Sequence, residues 1–330
     1  MKQRINFYLK KIIQIFVLGS LVISVLVAIA LAWLWPRFDY LPTEPLAFSL
    51  ERLSDTPIID VSLSEKLSLL AQQEGSVNIN GPSMIRVPDW VENPLGKYYL
   101  YFSHYKGDSI RLAYADEPQG PWQVYEPGAL SLRDSGFPTE KVPALSLEAG
   151  VKELWDSVSI YLFRDSLLAV YQSLLTEQEL GRQRGVKTVQ SLKAHIASPD
   201  VIVDNKTKQL VMFFHGQRDS LSQVSAVAVS SDGLNFKVLE NRIAGVYLRS
   251  FDYQDNYYLL AAPGVLYRSD QLLAGYKPRS QSLFGIDVRH SAVFLEGNML
   301  TVVFSRMGDA PERLLLSTVD LSSADWNDWT

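Results

Sequence analysis

The chain has 330 residues, 47% of them hydrophobic and 20% charged, with a formal net charge of −5 and no cysteine. That length allows one large domain or two small ones, and the balance is that of an ordinary globular protein. No disulfide can support the fold, and the acidic excess argues against a nucleic-acid partner.

Residues 1–11 carry Lys2, Arg4, Lys10 and Lys11 and no acid. Residues 12–35 then run apolar, interrupted only by Gln14, Ser20 and Ser24. A helix rises about 1.5 Å per residue, so such a run crosses a hydrocarbon core of about 30 Å with some tilt. Trp33 and Trp35 stand where an interfacial aromatic belt belongs, and the basic tail is expected on the cytoplasmic side. The competing reading is a cleaved signal peptide with "AIALA" as its processing site, although such apolar regions usually run about 7–15 residues. Under either reading the rest of the chain is expected outside the cytoplasm. With the anchor retained it is a single-pass cell-membrane protein that meets the lipid bilayer through 12–35. Beyond residue 37 the chain carries 26 basic and 36 acidic residues, a net of about −10.

Residues 36–50 contain three prolines and no period, which predicts a stalk. "LSEKLSLLAQQ" at 63–73 predicts a short amphipathic helix, and 147–156 is a candidate for a second. The remainder of 51–330 reads as strands. "GPSMIRV" leads to "KYYLYFSHY" and "SIRLAYAD"; "DSVSIYLF" to "LLAVYQSLL"; "SPDVIVD" to "LVMFFHG" and "SAVAVSSDG"; "RSFDYQD" to "NYYLLAAPG" and "VLYRSD"; "HSAVFLEGN" to "MLTVVFSRM" and "ERLLLSTVDL". Each is an alternating run, a polar turn and an aromatic or β-branched run. The five units open near residues 82, 157, 199, 250 and 291, and three of the four intervals are 41 to 51 residues. That is the period of a propeller blade, with a long loop near 126–154 filling the first interval. The expected fold is all-β, a five-bladed β-propeller preceded by one N-terminal transmembrane helix. A β-sandwich is the alternative, because unequal spacing is less awkward there.

"GKYYLYFSHYKGDSIRLAYADEPQGPW" and the final "LLLSTVDLSSADWNDW" resemble the five-bladed propellers of glycoside hydrolase family 43 over roughly residues 75–330. "GPSMIRVPDWVENPLGKYYLYF", "HIASPDVIVD" and "SRMGDAPERLLLSTVDLS" are similar to a bacterial branch related to that family, which implies no particular activity. The resemblance implies an axial funnel lined by the residues that open successive innermost strands. It also implies three carboxylates: a base from blade one, an orienting Asp from blade three and an acid from blade four. An inverting hydrolase needs one protonated and one ionised carboxyl group about 6.5–9.5 Å apart. Position by position, blade one opens at Asn80-Gly81-Pro82-Ser83 with no acid, and blade three opens at Asp200, matching the orienting Asp. Blade four offers Arg249 where the acid belongs, and blade five offers Arg289 and His290, a funnel histidine that fits the family. Two of the three expected carboxylates are missing.

Asp156, opening blade two beside Trp155, is the one acid that the repeat places around the same axis as Asp200, so these two are the catalytic candidates. The bland reading is that both Asp residues bond local backbone. All four histidines, His104, His195, His215 and His290, fall at strand ends. With Arg249, Arg289, Arg306, Ser83 and Trp155 they are the candidates for substrate binding. Guanidinium groups in a funnel favour an anionic ligand, so an acidic sugar is the better guess. The competing reading pairs Asp309 and Glu312 with Arg306 and Arg313 to close the propeller. No spacing fits a metal motif, and no P-loop, dinucleotide fingerprint, GxSxG or HExxH occurs, so no cofactor and no metal are expected. The sequence leaves two main readings: a glycan-active hydrolase with an altered mechanism, or a non-catalytic glycan-binding propeller. A surface scaffold is a third.

Overall fold

The computed structural model describes residues 51–140 and 193–329, apart from breaks at 53, 75–78, 105–106, 220–222, 244, 280, 286–287, 307–308 and 310. The basic tail, the expected anchor and the stalk lie outside these residues. So do Trp155, Asp156 and the unit expected to open at 157. Among the described residues no helix is long and apolar enough to cross a membrane.

A helix, α1 (Glu65–Glu74), comes first, on the segment whose period predicted it. Its start is fixed by Ser64, whose Oγ accepts from the Leu67 N–H at 3.2 Å. Four antiparallel sheets follow, each a simple up-and-down run. Sheet one holds β1 (Ile79–Arg86), β2 (Tyr98–His104), β3 (Ser109–Ala115) and β4 (Gln123–Ser131). Sheet two holds β5 (Ile196–Asp204), β6 (Gln209–Gln217), β7 (Gln223–Ser230) and β8 (Lys237–Ile243). Sheet three holds β9 (Val246–Tyr253), β10 (Asn256–Ala262), β11 (Val265–Ser269) and the short β12 (Lys277–Pro278). Sheet four has three strands, β13 (Val288–Glu296), β14 (Met299–Arg306) and β15 (Leu315–Asp320).

The turns follow from local chemistry. Gln254 and Asp255 both have positive φ, +46° and +61°, so β9 and β10 join through a two-residue turn whose twist matches that of the strands. After β7, the Asp232 carboxylate accepts from the Leu234 and Asn235 N–H groups at 2.8 and 2.9 Å, so "DGLNF" is a turn.

Strand alternation decides which sheet meets which. On β6, Leu210, Met212 and Phe214 face sheet one and pack with Tyr99, Tyr101, Ile110 and Leu112. The intervening Val211 and Phe213 face sheet three and pack with Leu248, Leu259, Ala261 and Tyr267. Fully burying such a side chain stabilises by about 1.5–3 kcal/mol. The Tyr101 hydroxyl donates to the Gly233 carbonyl at 2.9 Å, tying sheet one to the turn after β7. The outer face of sheet one, with Leu100, Phe102, Ala113 and Trp122, is covered by Ile59 and by Leu67 of α1. Trp122 therefore packs under the helix. At the far side the C-terminal segment wedges onto sheet three, with Trp329 against Tyr253 and Tyr258 and Arg279 donating to the Asn327 and Trp329 carbonyls.

This succession of small sheets, each packed on the next, is a β-propeller and not a sandwich of two large sheets. The described residues supply four sheets. Sheets one and two share one core, so no blade stands between them, whereas the sequence order had placed the unit opening at 157 there.

Candidate functional site

The innermost strands β1, β5, β9 and β13 share a feature that the sequence reading did not foresee. Each breaks register once, near its start, so that two residues oppose one on the neighbouring strand. The doubled residues are Gly81-Pro82, Ser198-Pro199, Tyr247-Leu248 and Arg289-His290. Gly81, Ser198 and Tyr247 have φ values of +57°, +50° and +56°, so three of the four bulges begin in the left-handed region. A bulge bends its strand and re-aims the side chains around it. Because the four bulges coincide, the residues leaving them, Ser83, Asp200, Arg249 and Ser291, occupy equivalent positions around the axis.

Those positions are chained together from sheet to sheet. The Ser83 hydroxyl accepts from the Val201 N–H at 2.9 Å. Asp200 Oδ2 accepts from the Ser250 N–H at 2.9 Å and from its hydroxyl at 2.5 Å, while Oδ1 lies 3.4 Å from the Arg249 guanidinium. Arg249 in turn donates from Nε to the Ser291 carbonyl at 2.8 Å and from Nη1 to the Pro199 carbonyl at 2.9 Å. Both side chains of this pair are only 12% exposed. Asp200 and Ser83, expected at the funnel, are engaged in holding neighbouring sheets together. Arg249, expected to bind ligand, directs its Nε and Nη1 donors to backbone carbonyls and Asp200.

The histidines gather at the same axial end. His215, closing β6, and His290, in the bulge of β13, each lie 4.7 Å from the Tyr247 ring, both edge-on. His195 lies 6.1 Å from His215. The His195 Nδ1 sits 2.8 Å from the Lys193 carbonyl, which can only accept, so that nitrogen carries the proton. His215 is buried and its Nδ1 has no hydrogen-bond partner. Burial lowers its pKa to about 3, and electrostatic coupling to His195, His290 and Arg249 adds to the shift. Burial lowers that of His290 to about 4, reinforced by Arg289 and Arg249 and partly opposed by Glu312. Both imidazoles are therefore neutral at physiological pH and can offer one donor and one acceptor each. His104 closes β2 at the same end of sheet one, paired with Ile79, and is buried.

The remaining arginines sit near the start of sheet four. Arg306 lies 3.5 Å from Asp309, which is also 3.8 Å from Arg313, and Arg289 lies 3.7 Å from Glu312. Arg306 and Arg313 thus share Asp309, whereas Glu312 faces Arg289 and not Arg313. Arg289 is different because its side chain is 34% exposed and its acidic partner 50% exposed. Among the described residues no group of three or more His, Asp or Glu side chains could hold a metal ion. Sequence reasoning missed Tyr247, Ser250 and Ser291. A signal was present for two of the bulges, since Gly81-Pro82-Ser83 and Ser198-Pro199-Asp200 repeat one pattern and proline inside a strand marks a bulge.

No family model matches the chain. It is similar to an uncharacterised protein of Acanthamoeba polyphaga mimivirus, 28% identical over 280 residues that cover 78% of this chain and 66%, just under two thirds, of that protein. Among solved structures it is similar to an α-L-arabinofuranosidase from Clostridium thermocellum, with 15% identity, 72% of this chain and 68% of that one covered, and a TM-score of 0.41. It is also similar to an exo-β-1,3-galactanase from Phanerochaete chrysosporium solved with β-1,3-galactotriose, with 11% identity, 77% and 49% covered, and a TM-score of 0.47. The chain thus spans about half the length of the galactanase. Likenesses of this size carry no activity across, and the propeller reading rests on the sheets themselves.

Proposed function

We propose that this propeller recognises glycans at its axial end and does not hydrolyse them. The observation that carries the reading is the set of equivalent positions Ser83, Asp200, Arg249 and Ser291. One of the four is a carboxylate, and both its oxygens are engaged by the neighbouring sheet. Glycoside hydrolysis needs two carboxyl groups in different protonation states with room for water between them. Here the position that the family resemblance assigns to the acid is an arginine. The polar end remains suited to a sugar: neutral imidazoles, a tyrosine ring and a partly exposed arginine offer donors, acceptors, a flat apolar surface and a positive charge. Arg289 favours an acidic sugar.

The reading includes a single-pass anchor at 12–35 that holds the propeller on the extracytoplasmic side, and a fifth blade drawn from the unit at 157–175. The test is a screen of the full-length protein in mild detergent against neutral and acidic oligosaccharides, scoring binding and released product together. Binding without product supports recognition. Turnover that disappears in Asp200→Asn overturns it in favour of a hydrolase, with Asp156 as the natural second carboxylate.

A further inference from the structure

We propose that Tyr247 is the ring on which the bound sugar rests, a proposal that depends on the glycan reading above. Three of the four innermost bulges begin with a left-handed residue, and the side chain grows from none at Gly81, through Ser198, to a full phenol at Tyr247. At Gly81 the reason for glycine is steric, because a Cβ there would stand 2.7 Å from the Ser198 Cα. A bulky residue in this conformation is a true backbone outlier, and such outliers concentrate where a side chain must be aimed. Nothing about the bulge itself requires an aromatic residue, since the other two left-handed bulges are made with Gly and Ser.

The ring's surroundings identify what it is aimed at. It stands 4.7 Å from both His215 and His290, at interplanar angles of 60° and 87°. Tyr247 is half-buried, at the end of the propeller where the innermost strands begin. Beside it, the buried His215 Nδ1 has no hydrogen-bond partner, and such an orphan marks a place where a ligand hydroxyl or a water belongs. A flat ring next to uncharged hydrogen-bonding groups matches a pyranose, which has C–H faces and a rim of hydroxyls.

The test uses full-length protein in mild detergent with two probes, a xylo-oligosaccharide and an oligogalacturonate, and the variants Tyr247→Phe, Tyr247→Leu and Tyr247→Gly. Binding is read by calorimetry and folding by the thermal midpoint. Tyr247→Phe keeps the ring and is expected to bind within about twofold of the parent, whereas Tyr247→Leu and Tyr247→Gly lose at least about tenfold in affinity while still melting cooperatively. Tyr247→Gly copies the solution that sheet one already uses. Parent-like binding by the Leu or Gly variant overturns the role of Tyr247 and leaves the glycan reading standing. Failure of both to fold also overturns it, because the ring would then be a packing element. A parent protein that binds neither probe removes the glycan reading, and this assignment with it.

Discussion

Asp200 and Arg249 meet across the boundary between sheets two and three, with Oδ1 3.4 Å from the guanidinium, at positions that their own strands make equivalent. Two neighbouring blades thus put opposite charges at the same structural address and close them on each other. The pair is held from outside as well, by Ser250 on the acid and by the Ser291 and Pro199 carbonyls on the base. The pair acts as a clasp between two sheets.

The clasp makes unequal predictions for its two halves. Asp200→Asn keeps an oxygen for the Ser250 donors and should destabilise by about 1–2 kcal/mol. Arg249→Met strands two backbone carbonyls and a buried carboxylate, and should destabilise by about 3–5 kcal/mol. Urea unfolding of both variants and of the double variant checks this. A double variant as unstable as the sum of the singles would mean that the two groups do not interact.

The sequence showed the blades more readily than the site. Runs such as "LVMFFHG" are apolar almost throughout, which is what two buried faces demand, so the strands of the four described sheets could be read directly. Asp200, Arg249 and His290 could be placed at strand starts because each follows a turn or a break in pattern. Their pairing could not. It depends on four bulges, each shifting the facing of the residues after it by one, and only Pro82 and Pro199 announce a bulge in the sequence. Tyr247 sits in "AGVYLRS", where an aromatic residue in an apolar run looks like core. The left-handed turn that takes it out of the core is a property of pairing with β10, which no local pattern records.

Gly81 supplies a test of the bulge alignment. Its φ of +57° disfavours any Cβ, and the Cβ of an alanine would also stand 2.7 Å from the Ser198 Cα, a backbone atom that cannot swing away. Gly297, in the turn between β13 and β14, has the same φ of +57° with nothing within 4 Å. Gly297→Ala should therefore cost about 1–2 kcal/mol, the conformational part alone. Gly81→Ala should cost a further 1–3 kcal/mol or so through overpacking against sheet two. Equal losses in thermal or urea unfolding would show that the strands β1 and β5 do not approach this closely.

The histidines predict how stability depends on pH. The unfolded chain protonates His215 and His290 near 6.5, whereas the folded chain resists until about 3 and about 4. Between those limits the unfolded state binds more protons, so stability is complete above about pH 6.5 and falls as the pH drops through the window. The groups facing His215 are His195, His290 and Arg249, and those facing His290 are Arg289, Arg249 and Glu312; of these only Glu312 favours the protonated imidazole. The total loss should amount to several kcal/mol by pH 4. Urea midpoints from pH 4 to 8 should be flat above 7 and decline below 6, with a shallower decline in His215→Gln. An identical slope in that variant would place the acid sensitivity elsewhere.

Arg289 separates ligand binding from architecture. Its side chain is 34% exposed and, among the described residues, pairs with Glu312, itself 50% exposed, at 3.7 Å. An ion pair this open to water contributes about 0–1 kcal/mol, so Arg289→Ala should leave the unfolding midpoint almost unchanged. If the axial end receives an acidic sugar, the same variant should lose affinity for oligogalacturonate by about tenfold and keep its affinity for a neutral oligosaccharide. The parent's affinity for the acidic probe should also weaken as salt rises, because an exposed charge is screened over about 10 Å at 0.1 M. Arg249→Met should do the reverse, losing stability with no change in charge preference among molecules that remain folded. Equal losses for acidic and neutral probes in Arg289→Ala would mean that this side chain shapes the rim without reading charge, and the acidic-sugar preference would fall.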